Sequence, residues 1–426
     1  MLLALAWALS VAACAPATNP AAPLPASRSG SGGVNSPAQR DKPHLVLVSL
    51  DGFKPSYIDR FQLPNMLRVA RRGVRARAMI PVFPSLTFPN HYSLVTGLYP
   101  DRHGIVSNSF YDPVLGQSYS MSNRAAVSDG TWYRGEPIWV TAETQGMVAA
   151  CFFWPGSEAA IGGVRPTFWK EFDDGVPNRE RVRGVLEWLR LPPERRPHLI
   201  TVYFSDVDSA SHDGPLDSPS VERAARSLDV VVGALLDGID ASPTRDTTYV
   251  VLTSDHGMAD LTPQQEIPLA SLIDTRDVTR TFDGPVTRLH VNGGLAAAHR
   301  VRDALNARLE RGRAYLREEM PERLHYRRDP RAGDVIVVMD ESWTLVTGLR
   351  RTVRAFRGPR GMHGWDPELP SMHAVFLAMG PRIPAGSTLT HVDNVDVYSF
   401  MAEALALRQA RDIDGTPGEI WQSLKR

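Results

Sequence analysis

Three predominantly apolar segments, each followed closely by an aspartate, constrain the fold of this chain most strongly. They are HLVLVSL (44–50), LITVYF (199–204) and TYVVL (248–252), and a fourth apolar run is AVFLAM (374–379). None alternates regularly between polar and apolar residues, which is typical of parallel strands buried on both faces of a sheet. Helical patterns lie between them, the clearest with apolar residues three and four positions apart from Val221 to Ile239. Strands that alternate with helices predict an α/β fold with a mostly parallel central sheet flanked by helices.

The length of 426 residues is compatible with one large domain that carries insertions. No internal repeat and no second linker follow residue 40, so residues 41–426 are interpreted as a single α/β domain. Residues 281–352 contain short β-like segments of a different pattern and are predicted to form an inserted cap or side sheet. Further helices are predicted over Asn178–Leu191, Ala296–Glu310 and Val395–Leu407.

The charge balance and the cysteine content exclude several classes of protein. Lys and Arg together number 47, as do Asp and Glu, so the net charge is zero. Proteins that bind nucleic-acid duplexes or anionic membranes through charge need an excess of basic residues, so neither function is expected. The two cysteines, Cys14 and Cys151, are too few for a disulfide-stabilised fold.

The first 40 residues differ from the rest of the chain in composition. The apolar run MLLALAWALSVAA (1–13) is shorter than the about 20 residues of a transmembrane helix and is typical of a secretory signal. With Cys14 it resembles a bacterial lipobox, in which the cysteine is acylated, so residues 1–14 are interpreted as signal peptide and lipobox. Residues 15–40, rich in Pro, Ala, Ser and Gly, are predicted to form a disordered tether. We expect an exported bacterial protein, either anchored to the outer membrane through Cys14 or cleaved and soluble in the periplasm.

The carboxylates that follow the first three strands are predicted to converge on one site. Asp51 follows the first strand, Asp206 and Asp208 the second, and Asp255 the third. Ligands of open α/β sheets bind at the carboxyl ends of the strands, so these groups would share one crevice. Carboxylates packed in that way repel one another, and a cation would remove the conflict. Asp208 is favoured over Asp206 because His212 lies four residues further on, on the same face of a helix.

Three histidines complete a candidate metal site. His212 accompanies Asp208, His256 follows Asp255 directly, and His363 lies in the glycine-bounded loop RGMHGWDP. Aspartate and histidine together supply the oxygen and nitrogen donors that suit Zn²⁺. Six such ligands exceed the four of one closed zinc site and suit two metal ions about 3.5–4 Å apart. The sequence therefore predicts a centre with two Zn²⁺ ions per chain.

A hydroxyl nucleophile is predicted in FPSLTFPNH (83–91), which precedes a helix-like run. Thr87 lies two residues before Pro89, and proline suits the first turn of a helix, where backbone N–H groups favour phosphate oxygens. A threonine hydroxyl is a weak nucleophile, and coordination to a metal ion lets it act as an alkoxide. Taken alone, Thr87 would be interpreted as a helix cap.

The order of these segments resembles the nucleotide pyrophosphatase/phosphodiesterase family of the alkaline phosphatase superfamily. From about residue 43 to residue 407 the landmarks stand in sequence as VSLDGFK, PVFPSLTFPNHYSLVTGLYPDRHGIVSNSFYD, WPGSE, RPTFW, DVDSASH, SDHGM and MHGWDP. Each motif is weak alone, whereas the ordered set is specific. The resemblance implies an alkaline-phosphatase-like fold and a metal-dependent hydrolase that cleaves nucleotide phosphodiester or pyrophosphate bonds to release nucleoside 5′-monophosphates.

The resemblance also implies a role for each motif residue. One zinc ion would be held by Asp51, Thr87, Asp255 and His256, and the other by Asp208, His212 and His363. Thr87 would attack phosphorus and form a phospho-threonine intermediate, which water then releases. Asn108 would hydrogen-bond a non-bridging phosphate oxygen. The walls of a nucleobase slot would be Phe88, Tyr203 and Phe172.

Alternatives for the reaction remain open. A phosphomonoesterase or a lipid-head-group phosphodiesterase of the same superfamily would use a similar centre, and a catalytically inactive binding lipoprotein is the alternative outside enzymes. The segment Ser211–Pro215 departs from the family pattern Gly-His-x-x-Gly-Pro, with Ser in place of Gly and one residue fewer. The spacing from Asp208 to His212 is retained, so both stay predicted ligands, and the loop beyond them is expected to differ.

Overall fold

An eight-stranded sheet forms the centre of the computed structural model, which describes residues 30–347 and 358–425. In chain order its strands are β1 (His44–Leu50), β2 (Val74–Ala76), β3 (Ala149–Phe152), β4 (Phe168–Lys170), β5 (Leu199–Phe204), β6 (Thr248–Thr253), β7 (Phe376–Met379) and β8 (Ser387–Leu389). In space they lie in the order β8-β2-β7-β6-β1-β5-β3-β4. The three strands that precede the candidate carboxylates, β6, β1 and β5, are therefore direct neighbours.

The strands around β1 run parallel to one another, as predicted. β1 pairs in parallel with β5 and β6, and β3 pairs in parallel with β5 and β4. The prediction of a parallel strand at 374–379 is wrong in direction, because β7 is antiparallel to β6 and β2. Phe376, the first residue of β7, pairs with Thr253, the last of β6, so the chain enters β7 from the carboxyl edge of the sheet. An apolar run indicates burial but carries no information on direction.

Both faces of the sheet are buried. Alternate side chains of β1 enter two different apolar clusters: Leu45 and Leu47 face one, and Val46 and Val48 face the other. All four are fully buried, and each such burial stabilises the fold by about 1.5–3 kcal/mol relative to an exposed side chain. Helices cover both clusters, so the sheet is the middle of three layers.

The longer helices of the described residues lie around the central sheet and the side sheet. They are α1 (Pro64–Arg72), α2 (Thr87–Thr96), α3 (Ile138–Thr144), α4 (Asn178–Leu189), α5 (Asp206–Asp213), α6 (Pro219–Asp240), α7 (Gly294–Asn306) and α8 (Asp396–Ala404). Short helices occupy Tyr57–Arg60, Pro100–His103, Arg124–Val127 and Glu419–Ser423. The helices predicted from apolar periodicity correspond to α4, α6, α7 and α8, with ends that differ by at most four residues.

A separate antiparallel sheet forms the predicted insertion. Its four strands, in spatial order, are Val278–Phe282, Val286–Val291, Val335–Met339 and Gly312–Leu316. Residues of α7 pack on one face of this sheet in an apolar cluster of their own. The segment Thr344–Val346 pairs instead with Glu266–Pro268. Residues 348–352 of the predicted insertion lie outside the described residues.

The prediction of a disordered tether is wrong for residues 30–40, which pack on the domain. Ser31 donates hydrogen bonds from its backbone N–H and its hydroxyl to the buried carboxylate of Glu143. The Asn35 side chain donates to two backbone carbonyls and accepts from the N–H of Val148. These buried polar groups need partners, and the segment supplies them.

The predicted signal peptide, the lipobox cysteine and residues 15–29 lie outside the described residues. Within 30–347 and 358–425, no helix has both the length and the hydropathy of a membrane span.

Candidate active site

The six predicted ligands all lie at the carboxyl edge of the central sheet. They belong to the segments that follow β1, β5 and β6 and to the loop that leads into β7: Asp51, Asp208, His212, Asp255, His256 and His363. Because β6, β1 and β5 are neighbours, residues far apart in sequence share one crevice, as the rule for open α/β sheets predicts.

Ligand atoms at this edge form two groups that could each hold a metal ion. The groups, with atoms within 4.8 Å of one another, are Asp208, His256 and His363, and Asp51, His91 and Asp255. His212 joins the first group, since its Nε2 lies 3.4 Å from Oδ1 of Asp208. Asp208 and His212 both belong to α5, and their spacing of four residues places them on one face of that helix, as predicted.

His256 lies between the two groups. Its Nε2 is 3.0 Å from Oδ2 of Asp255 and 3.6 Å from Oδ1 of Asp51. Its ring also stacks on His363, with ring centroids 3.6 Å apart and an angle of 13° between the planes. The two candidate sites are therefore adjacent, with these stacked imidazoles at their border.

Backbone carbonyls set the orientation of the three predicted histidine ligands. The Nδ1 atoms of His256, His363 and His212 donate at 2.9, 2.9 and 3.2 Å to the carbonyl oxygens of Gly257, Ser85 and Gly361. A carbonyl oxygen only accepts, so each Nδ1 carries a proton and each neutral ring presents a lone pair at Nε2. Metal-binding histidines are oriented in the same way by the groups behind them.

The Nε2 atoms face carboxylates, an arrangement that requires a proton or a cation between them. Burial opposes protonation of His256, but the carboxylates of Asp255 and Asp208 and the Gly257 carbonyl together outweigh burial and hold the pKa of His256 above its ordinary value. Burial also opposes protonation of His212, whereas the hydrogen bond and the charge of Asp208 favour it. The pKa of His212 is raised above its ordinary value. His363 differs, because burial and the neighbouring His256 lower its pKa to about 3. At neutral pH, His363 is therefore a neutral nitrogen donor.

Three buried carboxylate oxygens at the site have no hydrogen-bond partner among the described residues. They are Oδ1 of Asp51, Oδ1 of Asp208 and Oδ2 of Asp255. Burial, reinforced by the charges of Asp255 and Asp208, raises the pKa of Asp51 well above its ordinary value. Buried carboxylates are stable only when paired or bound to a metal. The unpartnered oxygens and the imidazole lone pairs together fit divalent metal ions that accept mixed oxygen and nitrogen ligands.

The site is closed at one end and open at the other. The side chains of Asp51, Asp255 and His256 are at most 1% exposed, whereas those of Asp208 and His212 are 17% and 35% exposed. A substrate therefore approaches from the side of α5.

Two glycines allow the ligand segments to pack this closely. A Cβ on Gly257, directly after His256, would lie 2.2 Å from the carbonyl oxygen of Ser371. Gly52, directly after Asp51, has a φ of +67° and lies against the backbone of Asp208. Glycine therefore follows Asp51 and His256 in these motifs because a side chain at either position would crowd a neighbouring segment.

Thr87 is the first residue of α2 and borders the candidate metal groups. Its Oγ1 lies 3.5 Å from Nε2 of His256. The residue in the capping position is Leu86, so the interpretation of Thr87 as a helix cap is wrong. The main-chain carbonyl of Thr87 accepts a 2.9 Å hydrogen bond from Nδ1 of His91.

His91 has a structural role beside the site, as expected for a hydrogen-bonded histidine of this motif. Its Nε2 accepts a 2.7 Å hydrogen bond from the Ser49 hydroxyl, and its Nδ1 donates to Thr87. Both ring nitrogens are therefore engaged, and His91 positions the first turn of α2 rather than offering a free lone pair to a metal ion. The signal in the sequence is its spacing of four residues from Thr87 on one helix.

Asn108 and Phe88 are linked by a hydrogen bond beside Thr87. The Phe88 N–H donates to Oδ1 of Asn108 at 2.8 Å, so the amide N–H donors of Asn108 are left for another acceptor. The Phe88 ring lies 6.2 Å from that of Tyr119. The Phe172 ring is 38% exposed.

Tyr203 takes a different position from the base-stacking wall that the resemblance implies. It is 9% exposed, and its hydroxyl donates a 2.6 Å hydrogen bond to Oδ2 of Asp51. Its ring meets those of His91 and Phe172 edge to face. Tyr203 therefore orients a carboxylate of the candidate metal group.

Asp206 is held away from the candidate metal groups. Both of its carboxylate oxygens accept from the side-chain amide of Asn178, at 2.8 and 2.9 Å. The preference for Asp208 over Asp206 agrees with this geometry. The segment is helical rather than extended, so the two residues point in different directions.

Comparison with known proteins decides the family. The profile of the family described as type I phosphodiesterase / nucleotide pyrophosphatase matches residues 45–366. The chain belongs to this family. The resemblance drawn from the motifs is thereby confirmed.

Relatives in the type I phosphodiesterase / nucleotide pyrophosphatase family share about a third of their residues with the chain. A venom phosphodiesterase of Crotalus durissus collilineatus is 34% identical over 405 residues, which cover 93% of this chain and 48% of that protein. Human ectonucleotide pyrophosphatase/phosphodiesterase family member 1 is 35% identical over 403 residues, which cover 91% of this chain and 42% of that protein. The chain thus spans about half the length of the curated relatives it matches.

The fold of the chain is similar to that of a family member of known structure. Murine ectonucleotide pyrophosphatase/phosphodiesterase 5 superposes with a TM-score of 0.83 at 29% identity, over 90% of this chain and 99% of that one. An inactive threonine-to-alanine variant of the murine protein has been solved in complex with AMP. The likeness confirms the predicted alkaline-phosphatase-like fold.

Proposed function

We propose that this chain is a two-zinc phosphodiesterase that cleaves nucleotide phosphodiester or pyrophosphate bonds and releases nucleoside 5′-monophosphates. The observation that carries the proposal is the Thr87 hydroxyl, 3.5 Å from Nε2 of His256, at the start of α2 and beside the six clustered ligands. Membership of the phosphodiesterase family and the AMP complex of the murine relative support it.

The donor set matches two zinc ions in number and type. Asp51, Asp255 and His256, with Thr87, would hold one ion, and Asp208, His212 and His363 the other. When bound, such ions act as Lewis acids, favour the deprotonated hydroxyl and offset the charge that develops on phosphate oxygens. The unpartnered oxygens of Asp51, Asp208 and Asp255 support this assignment.

The residues of the chain divide the reaction into two displacements. Thr87 Oγ1 forms a bond to phosphorus while the bond from phosphorus to the leaving oxygen breaks; water then cleaves the Oγ1–P bond and restores Thr87. The backbone N–H of Thr87, the first residue of α2, and the amide of Asn108 would donate to the non-bridging oxygens. Phe88 and the exposed Phe172 ring would contact the nucleobase.

The experiment that tests the proposal compares Thr87→Ala and Thr87→Ser with the wild type. We expect Thr87→Ala to lower kcat on thymidine 5′-monophosphate p-nitrophenyl ester by at least about a thousandfold, because no nucleophile remains. Thr87→Ser keeps the hydroxyl and should retain part of the rate. Elemental analysis should find about two zinc ions per wild-type chain. Unchanged turnover in Thr87→Ala would contradict the nucleophile assignment.

Substrate panels separate the proposed reaction from its alternatives. The wild type should hydrolyse bis-p-nitrophenyl phosphate and nucleotide substrates faster than p-nitrophenyl phosphate or phosphocholine esters. Preference for the monoester would indicate a phosphomonoesterase, and preference for phosphocholine would indicate a head-group enzyme. A zinc-loaded chain that is inactive on all four would indicate a binding protein.

We also propose that the chain is exported and acylated at Cys14, on the basis of its N-terminal sequence. The apolar run 1–13 and the Val-Ala-Ala-Cys segment support this. Metabolic labelling with palmitate should mark the wild type and the matched Cys151→Ala variant, and should fail for Cys14→Ala. Cys151 is a suitable control because it is fully buried in β3. Equal labelling of all three would contradict the assignment.

A further inference from the structure

A buried carboxylate, that of Glu158 in the motif WPGSE (154–158), contacts the backbone of Phe172. Its Oε1 accepts a 3.1 Å hydrogen bond from the Phe172 N–H, and its Oε2 accepts from the guanidinium of Arg124. The Glu158 side chain is 6% exposed. Because both oxygens are engaged and almost no part of the group reaches solvent, Glu158 supports its neighbours and does not itself face a ligand.

Arg124 links Glu158 to the segment that carries Phe172. It is the first residue of the short helix Arg124–Val127. Its Nε lies 3.6 Å from Oε1 of Glu171, the residue directly before Phe172. Hydrogen bonds between ionised groups are stronger than those between neutral groups. The segment after β4 is therefore fastened by the Glu158 carboxylate on its backbone and by the Arg124 guanidinium beside it.

The Phe172 ring lies close to the candidate metal groups and is still accessible. It packs edge to face on Tyr203, with ring centroids 6.1 Å apart, and the Tyr203 hydroxyl donates to the predicted ligand Asp51. It also packs edge to face on Phe153, with ring centroids 5.5 Å apart. A substrate at the centre can therefore reach the exposed part of the Phe172 ring, and the position of that ring follows from the position of its backbone.

The ring that supports Phe172 from below is itself held in a strained conformation. Phe153, directly after β3, has a φ of +67°, in the left-handed region that bulky residues rarely adopt. Arg181 lies over the Phe153 ring, with Cζ 5.1 Å from the ring centroid, and donates from Nη1 to the Tyr203 carbonyl at 2.9 Å. Such strain persists only where the surroundings enforce it, and it concentrates at binding sites. The surroundings of Phe172 are thus fixed on the ring side as well as on the backbone side.

We propose that Glu158 is a positioning residue that fixes Phe172 as a wall of the nucleobase slot. This inference rests on the proposed function and names a residue that sets affinity for the base within it. With its N–H held by Glu158, the Phe172 ring is ordered before a nucleotide binds, so stacking of the base does not have to order the segment after β4. Loss of Glu158 frees that segment, and the base then gains less from the contact.

The test measures how much the base contributes to binding. AMP and ribose 5-phosphate differ in the adenine base, and each is assayed as an inhibitor of bis-p-nitrophenyl phosphate hydrolysis. AMP should inhibit the wild type at least about tenfold more tightly, the size of effect expected when a base stacks on an aromatic ring. Glu158→Ala should lower this preference by about threefold or more, the usual effect of losing a hydrogen bond. Glu158→Gln keeps an acceptor for the Phe172 N–H and should retain part of the preference.

A double variant separates positioning from a general loss of stability. Phe172→Ala should lower the preference for AMP, and adding Glu158→Ala to it should cause no further loss, because Glu158 acts through Phe172. Additive losses would overturn the positioning role. The matched control is Glu143→Ala, since Glu143 is also a buried carboxylate and accepts from the N–H of Thr167 on the same segment. Glu143→Ala should lower Tm without lowering the preference, and an equal loss of preference there would also overturn the proposal.

Arg124→Met tests the same role at a side chain that is 39% exposed, and decides the case if Glu158→Ala fails to fold. It removes the partner of Glu158 Oε2 and should also lower the preference for AMP. A wild type that prefers AMP, with the preference kept in Glu158→Ala and Arg124→Met, would overturn the role of Glu158 and leave the proposed function standing. Equal inhibition of the wild type by AMP and ribose 5-phosphate would contradict the nucleotide specificity of the proposed function, and the role of Glu158 with it.

Discussion

The hydroxyl of Tyr203 donates a 2.6 Å hydrogen bond to Oδ2 of Asp51 in the closed end of the site. The bond engages one oxygen of the carboxylate and leaves Oδ1, which faces Nε2 of His256 at 3.6 Å, without a partner. Tyr203 thereby selects which oxygen of Asp51 is available to a metal ion. Groups of this kind commonly change metal affinity by about ten- to a hundredfold.

Tyr203→Phe should therefore weaken zinc binding by about tenfold or more while preserving turnover at saturating zinc. The ring stays in place, so packing against His91 and Phe172 is retained. Competition with a chromophoric chelator measures the affinity. The matched control is Tyr398→Phe, which removes a buried hydroxyl bonded to Thr141 instead. Wild-type zinc affinity in Tyr203→Phe would show that the hydrogen bond does not support a metal ligand.

Asp208→Asn and Asp206→Asn form a matched pair on α5. Asp208 faces His212 and His363, so its conversion to Asn should lower the zinc content by about one ion per chain and kcat by at least about a hundredfold. Among the described residues, the side-chain hydrogen bonds to the Asp206 carboxylate come from Asn178 and not from a predicted ligand. Asp206→Asn should therefore change neither the zinc content nor kcat by more than about twofold. Elemental analysis and a phosphodiesterase assay decide the comparison. The reverse pattern would transfer the ligand role to Asp206.

Removal of metal should destabilise the folded chain. Without cations, the buried carboxylates of Asp51, Asp208 and Asp255 repel one another and keep unpartnered oxygens. Ions bound at a hundred to a thousand times their Kd add about 3–4 kcal/mol, so treatment with EDTA should lower Tm by roughly 5–15 °C. Differential scanning fluorimetry before chelation, after it and after zinc is restored measures the change. A Tm that does not respond to loss of the metal would contradict a role of these carboxylates as ligands.

A stacked histidine pair at the other end of β1 should make stability depend on pH. The rings of His44 and His198 lie 4.3 Å apart and nearly parallel, and both are buried. Burial and the neighbouring His198 lower the pKa of His44 to about 3, from an ordinary value of 6.5. The contribution of neutral His44 to the free energy of unfolding is present above pH 6.5 and is lost as the pH falls toward 3. The reason is that His44 becomes protonated at a higher pH in the unfolded chain than in the folded chain.

Between pH 6.5 and pH 5, His44 should account for a loss of about 2 kcal/mol in the free energy of unfolding. His44→Asn retains a donor near the position of Nδ1, which donates to the Pro197 carbonyl, and does not titrate in this range. Urea unfolding at both pH values, with saturating zinc, should therefore show a smaller loss in the variant. The difference between variant and wild type cancels the contribution of the metal site. Identical losses would mean that this pair does not sense pH.

The parts of the fold that were predictable depend on local patterns. The uniform burial of β1, β5 and β6 follows from their apolar runs, and α6 follows from apolar residues three and four positions apart. The direction of β7 was not predictable, since a run buried on both faces looks the same in either direction. The packing of residues 30–40 was also missed, because a polar, proline-rich composition does not reveal the buried Glu143 and the backbone groups with which it pairs.

Residue chemistry and spacing along the chain were enough to predict the candidate ligands and the candidate nucleophile, because aspartate, histidine and threonine side chains of the required kinds follow one another in a specific order. Which atoms of those residues face the site, and which neighbours hold them, became apparent from the packed fold. Tyr203 supports Asp51, and Arg124 binds Glu158, through contacts between segments distant in sequence. Such contacts depend on strand order and packing, and no local pattern of residues encodes them.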